Sequence, residues 1–322
     1  MTKIYNDPPS FVLKNLQLLE ADLDSKIPPK KLDRNLLIAT WNIRAFGNLT
    51  RKWRSDEEDS PKRDLHSILC IAAIIKRFDV IAIQEVRANI RALRDTLKIL
   101  GDNWSLILTD VTREDKGNGE RMAYLFDTRR VNLSGLACEL VVPQEWLKQD
   151  ISSNALQTQF ARTPYAVSFK SCDKTFILVT LHILYGKNSS ERIPELKAIA
   201  KWLADWAGDT NAYHQNMITL GDFNINARGD LLDKTFLEEG LYVPQQLQHP
   251  SATRSIFDQT KYYDQIAWFR DNKETPNLSM EFQNAGSYNF LPIALQNRDL
   301  SKLTLSYMIS DHYPLWAEFK VC

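Results

Sequence analysis

The sequence carries no excess of charge of either sign: 40 Lys and Arg stand against 40 Asp and Glu in 322 residues. A strongly basic domain would by itself point to nucleic acid, so any basic surface here must be local. A neutral sum does not remove such a partner, because binding follows the field over one face. None of the four cysteines, Cys70, Cys138, Cys172 and Cys322, is spaced as a CxxC pair, which excludes the zinc-ligand and redox signatures. Cys70 lies in an apolar helical run and reads as a core residue. No apolar run reaches the length of a transmembrane segment. The N-terminus MTKIYNDPPSF lacks a basic region followed by an apolar one, so no secretory signal is expected and a reducing, cytoplasmic setting is the expectation. Internal repeats, low-complexity tracts, a serine elbow, a nucleophilic-cysteine motif and a glycine-rich phosphate loop are all missing.

What is present is an ordinary globular composition, 44% hydrophobic and 25% charged, long enough to bury a large core. Residues 1–34 read as an N-terminal helical appendage, and residues 35–322 as one catalytic domain. Within the appendage Phe11, Val12, Leu16, Leu19 and Leu23 recur at helical spacing, and Pro28 and Pro29 end the helix. Two readings stand: a helix packed on the outside of the domain, which is favoured, or a docking helix for a protein partner. Strands are expected at 36–41, 80–83, 176–180, 217–220 and 313–319. Helices are expected at 61–78, with Leu65, Ile68, Leu69, Ala72 and Ile75 on one face and Ser60 as N-cap, and at 191–206. Strand, helix, strand in this order implies helices layered on sheet. The segments 51–63, with Trp53 inside it, and 228–261 read as loops.

Several apolar strands run straight into a polar residue able to do chemistry. LLIATW ends at Asn42, VIAIQ at Glu85, FILVTL at His182 and MITLG at Asp222, with Asn224 two residues on; Asp311 and His312 precede the last strand. One such residue is usually a cap or a turn. Five ends carrying complementary groups are hard to explain as structure, because active sites gather at one end of the strands in layered α/β proteins. Glu85, Asp222 and Asp311 are hard oxygen ligands. Asn42 and Asn224 can ligate or donate, and His182 and His312 can move protons near neutral pH. This inventory suits in-line attack of water on a phosphodiester.

The segments TWNIRAFG (40–47), IQEVR (83–87), GERMAYLF (119–126), TLH (180–182), GDFNIN (221–226), YYDQI (262–266) and ISDHYP (309–314) occur in this order. Together they resemble the endonuclease/exonuclease/phosphatase superfamily over residues 36–320, and most of all its deoxyribonuclease-I-like branch. NIR at 42–44 marks that branch; abasic-site nucleases carry an acidic residue where this chain has Arg44. The resemblance implies a four-layer α/β sandwich, with two mixed β-sheets packed face to face and helices outside. It implies Mg²⁺, with Mn²⁺ or Ca²⁺ as alternatives, held by Glu85, Asn42 and Asp311. Asp222 and Asn224 would orient the water and the phosphate, and Asn42 would also contact substrate. His312 would be held by Asp264, and His182 by Glu120. Arg162 would grip phosphate, and Arg87 would enter the minor groove of a nucleic-acid substrate, double-stranded DNA.

Bland readings accompany some of these residues. Asp264 could be a turn residue, Glu120 could pair with Arg121 on a surface strand, and Arg87 could be a solvated arginine. His66, His214 and His249 lie outside every motif and read as structural or exposed. Pancreatic-type deoxyribonucleases are secreted and disulfide-bonded, whereas here no signal and no suitably paired cysteines are expected. Two other functions compete with a DNA endonuclease. The same chemistry could act on a phosphoinositide or sphingomyelin, with Trp53 or SYNFLP (287–292) as the apolar element that enters a membrane surface. A non-catalytic binding module would have lost a ligand or a histidine, and none is lost.

Overall fold

The computed structural model describes residues 6–32, 34–112, 118–142, 160–209, 216–270 and 278–322. His214 falls outside them. Two six-stranded mixed sheets form the body. The first has the order β11-β12-β1-β2-β4-β3, with β1 Asn35–Phe46, β2 Val80–Arg87, β3 Trp104–Leu108, β4 Glu120–Asp127, β11 Glu281–Ser287 and β12 Leu315–Lys320. The second has the order β5-β6-β7-β8-β10-β9, with β5 Asn132–Glu139, β6 Tyr165–Ser171, β7 Lys174–His182, β8 Met217–Asp222, β9 Leu241–Tyr242 and β10 Asp264–Phe269.

Both sheets share one plan. A single parallel pair, β1 with β2 and β7 with β8, lies third from one edge, and every other pairing is antiparallel. A parallel pair needs a crossover, supplied by helix. Helix α2 (Leu65–Ile75) lies between β1 and β2, α3 (Arg91–Leu100) follows β2, and α4 (Ile193–Gly208) lies between β7 and β8. The alternation of β1 explains its unbroken apolar run: Leu36 and Ile38 face the core between the sheets, whereas Leu37, Ala39 and Trp41 face a second core under the helices. Val80 and Ala82 against Ile81 and Ile83 repeat this on β2. Strands buried on both faces read as continuous apolar segments.

Helix α1 (Ser10–Lys26) buries Val12, Asn15, Leu19 and Leu23, while Phe11 is largely exposed. Its apolar stripe joins the second core with α2. The amide of Asn15 donates to the Ile293 carbonyl (2.8 Å), and its oxygen lies 2.9 Å from His66 Nε2. His66 is therefore structural, and burial lowers its pKa to about 4.

Three expectations need correction. Helix α2 begins at Leu65 rather than Pro61, because Asp64 caps it through Ser67 N (2.9 Å) in a reciprocal box with the Ser67 hydroxyl. The Ser60–Pro61 peptide is cis and lies before the cap. The stretch 228–261 is not all loop: it holds α5 (Leu231–Glu238), capped by Asp230, then β9 and the one-turn α6 (Gln245–Gln248). Elements this short show too few turns for periodicity to be read.

The third correction concerns the cysteines. Cys172, in the β6–β7 turn, and Cys322 form a disulfide across 150 residues of sequence, with Cα atoms 6.2 Å apart. This corrects the expectation that no two cysteines are suitably paired. Closing so long a loop restricts the unfolded chain, so Cys322→Ser should cost about 2–4 kcal/mol. Urea denaturation would read this, and dithiothreitol should bring the parent protein to the same value. Among the described residues no helix is long and apolar enough to cross a membrane.

Candidate active site

Asn42, Glu85, His182 and Asp222 sit at the C-terminal ends of the two parallel pairs, in register as Asn42 beside Gln84 and His182 beside Asp222. The two pairs meet across the interior. Asn42 Nδ2 donates to Asp222 Oδ2 at 2.9 Å, and one layer below Gln84 Nε2 donates to Thr180 Oγ1 at 2.8 Å. The site thus draws half its groups from each sheet. Within the second sheet, Gly221, just before Asp222, lets β8 lie close against its register partner Leu181 on β7. It has φ +145°, and a Cβ there would lie 2.1 Å from the Leu181 carbonyl oxygen.

The backbone is strained where the strands end. Ala45, Glu85 and Asn224 adopt φ of 47°, 59° and 52°, a region that costs non-glycine residues energy and clusters at functional sites. At Glu85 the strain accompanies a register shift of β2 against β4. One carboxylate oxygen of Glu85 accepts from Ala45 N (2.8 Å) and the other from Asn42 Nδ2 (3.3 Å).

Two imidazoles flank Asp222. Its Oδ2 lies 3.6 Å from His182 Nε2 and 3.9 Å from His312 Nε2, while Oδ1 accepts from Asn224 N at 2.9 Å. His312 Nδ1 is hydrogen-bonded to the buried Asp264 at 2.7 Å. Burial opposes a charge on His312, but the carboxylates of Asp264, Asp222 and Asp311 outweigh it and raise its pKa well above the ordinary value. His182 Nδ1 lies 3.2 Å from Glu120, which also takes Arg162 Nε at 2.5 Å. Burial would raise the Glu120 pKa, but His182 and Arg162 hold it at about 2. Glu120 does not pair with Arg121 as the bland reading had it. Arg87 lies 3.4 Å from Glu120 and 3.7 Å from Glu85, and Arg44 lies 3.5 Å from Asp311. All of these groups except Asn42 and Asp264 line one open cleft of about 650 Å³.

Two donor sets could hold a metal. Asp222, Asp264 and His312 offer ligand atoms within 4.8 Å of one another. A cation there would compete with the 2.7 Å Asp264–His312 bond, so this set is better explained as a proton-moving group. Glu85, Asn42 and Asp311 offer only oxygens. Asn42 Oδ1 and Asp311 Oδ1 are buried without a hydrogen-bond partner among the described residues. Buried unpaired acceptors call for an explanation, and an oxygen-liganded cation such as Mg²⁺ fits.

Three supporting residues escaped the sequence. Arg63, fully buried, donates to the carbonyls of Arg44 (2.6 Å), Ala45 (2.9 Å), Met308 (3.1 Å) and Ile309 (3.2 Å), clamping the Asn42 segment to the Asp311–His312 segment. Arg192 donates to the Asn224 carbonyl at 2.6 Å. Glu195 accepts from Ala161 N (3.1 Å) and Leu184 N (3.0 Å), holding the chain beside Arg162 and beyond His182. A signal did exist for Glu195: it shares one helical stripe with Ile199 and Leu203, where a carboxylate is out of place.

The sequence matches the Endonuclease/Exonuclease/phosphatase family over residues 39–312. The chain belongs to this family. It is 30% identical over 301 residues to a protein of Thioalkalivibrio sp. (strain K90mix) named Deoxyribonuclease, covering 89% of this chain and 71% of that one. Among solved structures it is similar to the human Nocturnin catalytic domain with bound sulfate anion (15% identity, TM-score 0.57, 90% and 96% covered). It is also similar to D. rerio TDP2 complexed with single strand DNA product (15%, 0.54, 89% and 99%). These two likenesses show the fold, a pair of mixed sheets with helices outside. The family and the nuclease-named relative make the chain a hydrolase of the nuclease and phosphodiesterase kind. The family is generally dependent on a divalent metal.

Proposed function

We propose that this protein is a divalent-metal-dependent endonuclease that hydrolyses DNA phosphodiester bonds by in-line attack of water. The observation that carries the reading is the pair of imidazoles on either side of Asp222, each backed by its own carboxylate. In this reading Asp222, held by Asn42 and the Asn224 amide, orients the water. One imidazole takes the proton of that water, and the other gives a proton to the departing oxygen. Asp264 bonds His312 Nδ1, which fixes that tautomer, and Glu120 lies beside His182 Nδ1, where it supports the imidazolium. Arg162, with Nη1 lacking a partner among the described residues, faces the phosphate, and Arg87 the flanking backbone. Held by Glu85, Asn42 and Asp311, Mg²⁺, or Mn²⁺ or Ca²⁺ in its place, would neutralise the charge that builds on the phosphate oxygens.

The lipid reading loses its sequence basis. Trp53 is buried and donates to Asn6 Oδ1 at 2.8 Å, and Tyr288 and Phe290 are wholly buried, so neither can enter a bilayer. A time course on supercoiled plasmid tests the proposal. Nicking should require Mg²⁺ or Mn²⁺ and stop with EDTA. Glu85→Gln should raise the Mg²⁺ needed for half-maximal rate by about tenfold or more. No cleavage in any metal would overturn the choice of substrate.

A further inference from the structure

Among the described residues four aromatic side chains are exposed, and three of them line the cleft that holds the site: Tyr185 (56% exposed), Phe257 (48%) and Tyr307 (44%). Large apolar surface left in water is unfavourable, and its concentration on one functional cleft marks a binding surface. Two of the rings are each held by an arginine. The Arg192 guanidinium stacks 4.3 Å from Tyr185, and Arg44 stacks 4.0 Å from Tyr307. Such contact fixes the ring orientation, so little freedom is lost when a flat ligand lies on it. The same cleft is lined by the cations Arg87 and Lys261, besides Arg44. Exposed aromatic side chains and cations in one cleft are what a strand with unstacked bases and a phosphate backbone requires.

We infer that the nucleotides flanking the scissile phosphate are unpaired, with bases lying on Tyr185, Phe257 and Tyr307. This deepens the proposed function and rests on it only for the cleavage step. In an intact duplex every base is covered on both faces by its neighbours, so these rings would meet only sugar edges. A single strand, a frayed end or an underwound stretch offers base faces directly. The inference departs from the double-stranded substrate that the family resemblance implies.

Fluorescence anisotropy in EDTA, with a labelled 12-nucleotide single strand and the same strand annealed as a blunt duplex, measures recognition without cleavage. The single strand should bind at least tenfold more tightly. Phe257→Ala and Tyr307→Ala should each weaken single-strand binding by roughly five- to a hundredfold, the usual worth of a base–aromatic stack, and leave duplex binding nearly unchanged. Equal affinity for both forms, or alanine variants that bind single strand as the parent does, would overturn the inference. Hydrolysis of bis(4-nitrophenyl) phosphate with Mg²⁺ tests the other layer. If that diester stays intact while the single-strand preference holds, the hydrolytic assignment fails and the recognition stands.

Discussion

Replacing His312 with alanine should lower kcat on a DNA substrate by about 10²–10⁴-fold, the range supplied by one positioned acid/base group. KM should change far less, because in the proposed mechanism the imidazole would act on the reacting atoms while Arg162 and the proposed metal ligands remain. The geometry adds a check that mere damage would not reproduce. Asp264, 2.7 Å from Nδ1, is the leading influence raising the His312 pKa. If the neutral imidazole is the active form, rate is lost as pH falls through that pKa. Asp264→Asn removes the raising influence, so the acid limb of kcat/KM should move to lower pH while the maximal rate drops. A limb that stays in place would remove His312 from the proton-moving role. A His312→Ala protein with parental kcat would remove it from the site altogether.

The largest loss of stability is expected at Arg63. Its guanidinium meets four carbonyls and lies in no solvent, and burial pushes its pKa only down to about 10, so it stays charged at neutral pH. Arg63→Ala would leave four carbonyl acceptors without their donor, those of Met308 and Ile309 in buried bonds, and a cavity beside Phe46, whose ring the guanidinium approaches at 5.3 Å. A buried acceptor left unsatisfied costs about 1–3 kcal/mol. Partial collapse and entering water would offset some of this, so the net loss should be about 3–5 kcal/mol. Arg63→Lys has three donors on one atom and cannot reach carbonyls on both sides of the fork, so it should recover less than half. Urea titration reads both values. A loss under about 1 kcal/mol would mean that the two segments hold together without the clamp.

Why Arg63 was hidden while His312 was plain says what a sequence can disclose. Asn42, Glu85, His182 and Asp222 each follow a run of apolar residues, and a polar side chain at that place breaks the pattern within a few positions. The sandwich itself was legible from the order of the motifs rather than from periodicity, since strands buried on both faces do not alternate. Arg63 stands among charged neighbours in a segment that reads as a solvated loop. Its carbonyl partners lie up to 246 positions away, and backbone acceptors carry no residue identity. Cys172 and Cys322 were equally opaque. Their pairing exists only because the β6–β7 turn and the end of β12, which belong to different sheets, come together in space. Tyr185, Phe257 and Tyr307 could be seen in the sequence, but nothing in their spacing told that they share a cleft or stay uncovered.

The strand order of the first sheet also bears on how the molecule comes into being. Its central strand β1 pairs with β12, Asn35 beside Lys320, so the whole of the second sheet is inserted between two neighbouring strands. Contacts of such sequence separation form slowly, because a long loop must close before any bond rewards it. On the ribosome β1, β2 and β4 would emerge early and wait with one flank unpaired, an exposed edge open to the wrong partner. His312 and Asp311 arrive with the same last strand that seals this flank. Completion of the sheet and assembly of the cleft are therefore one event, and a growing or truncated chain lacking β12 would expose a sticky edge and leave the cleft incomplete.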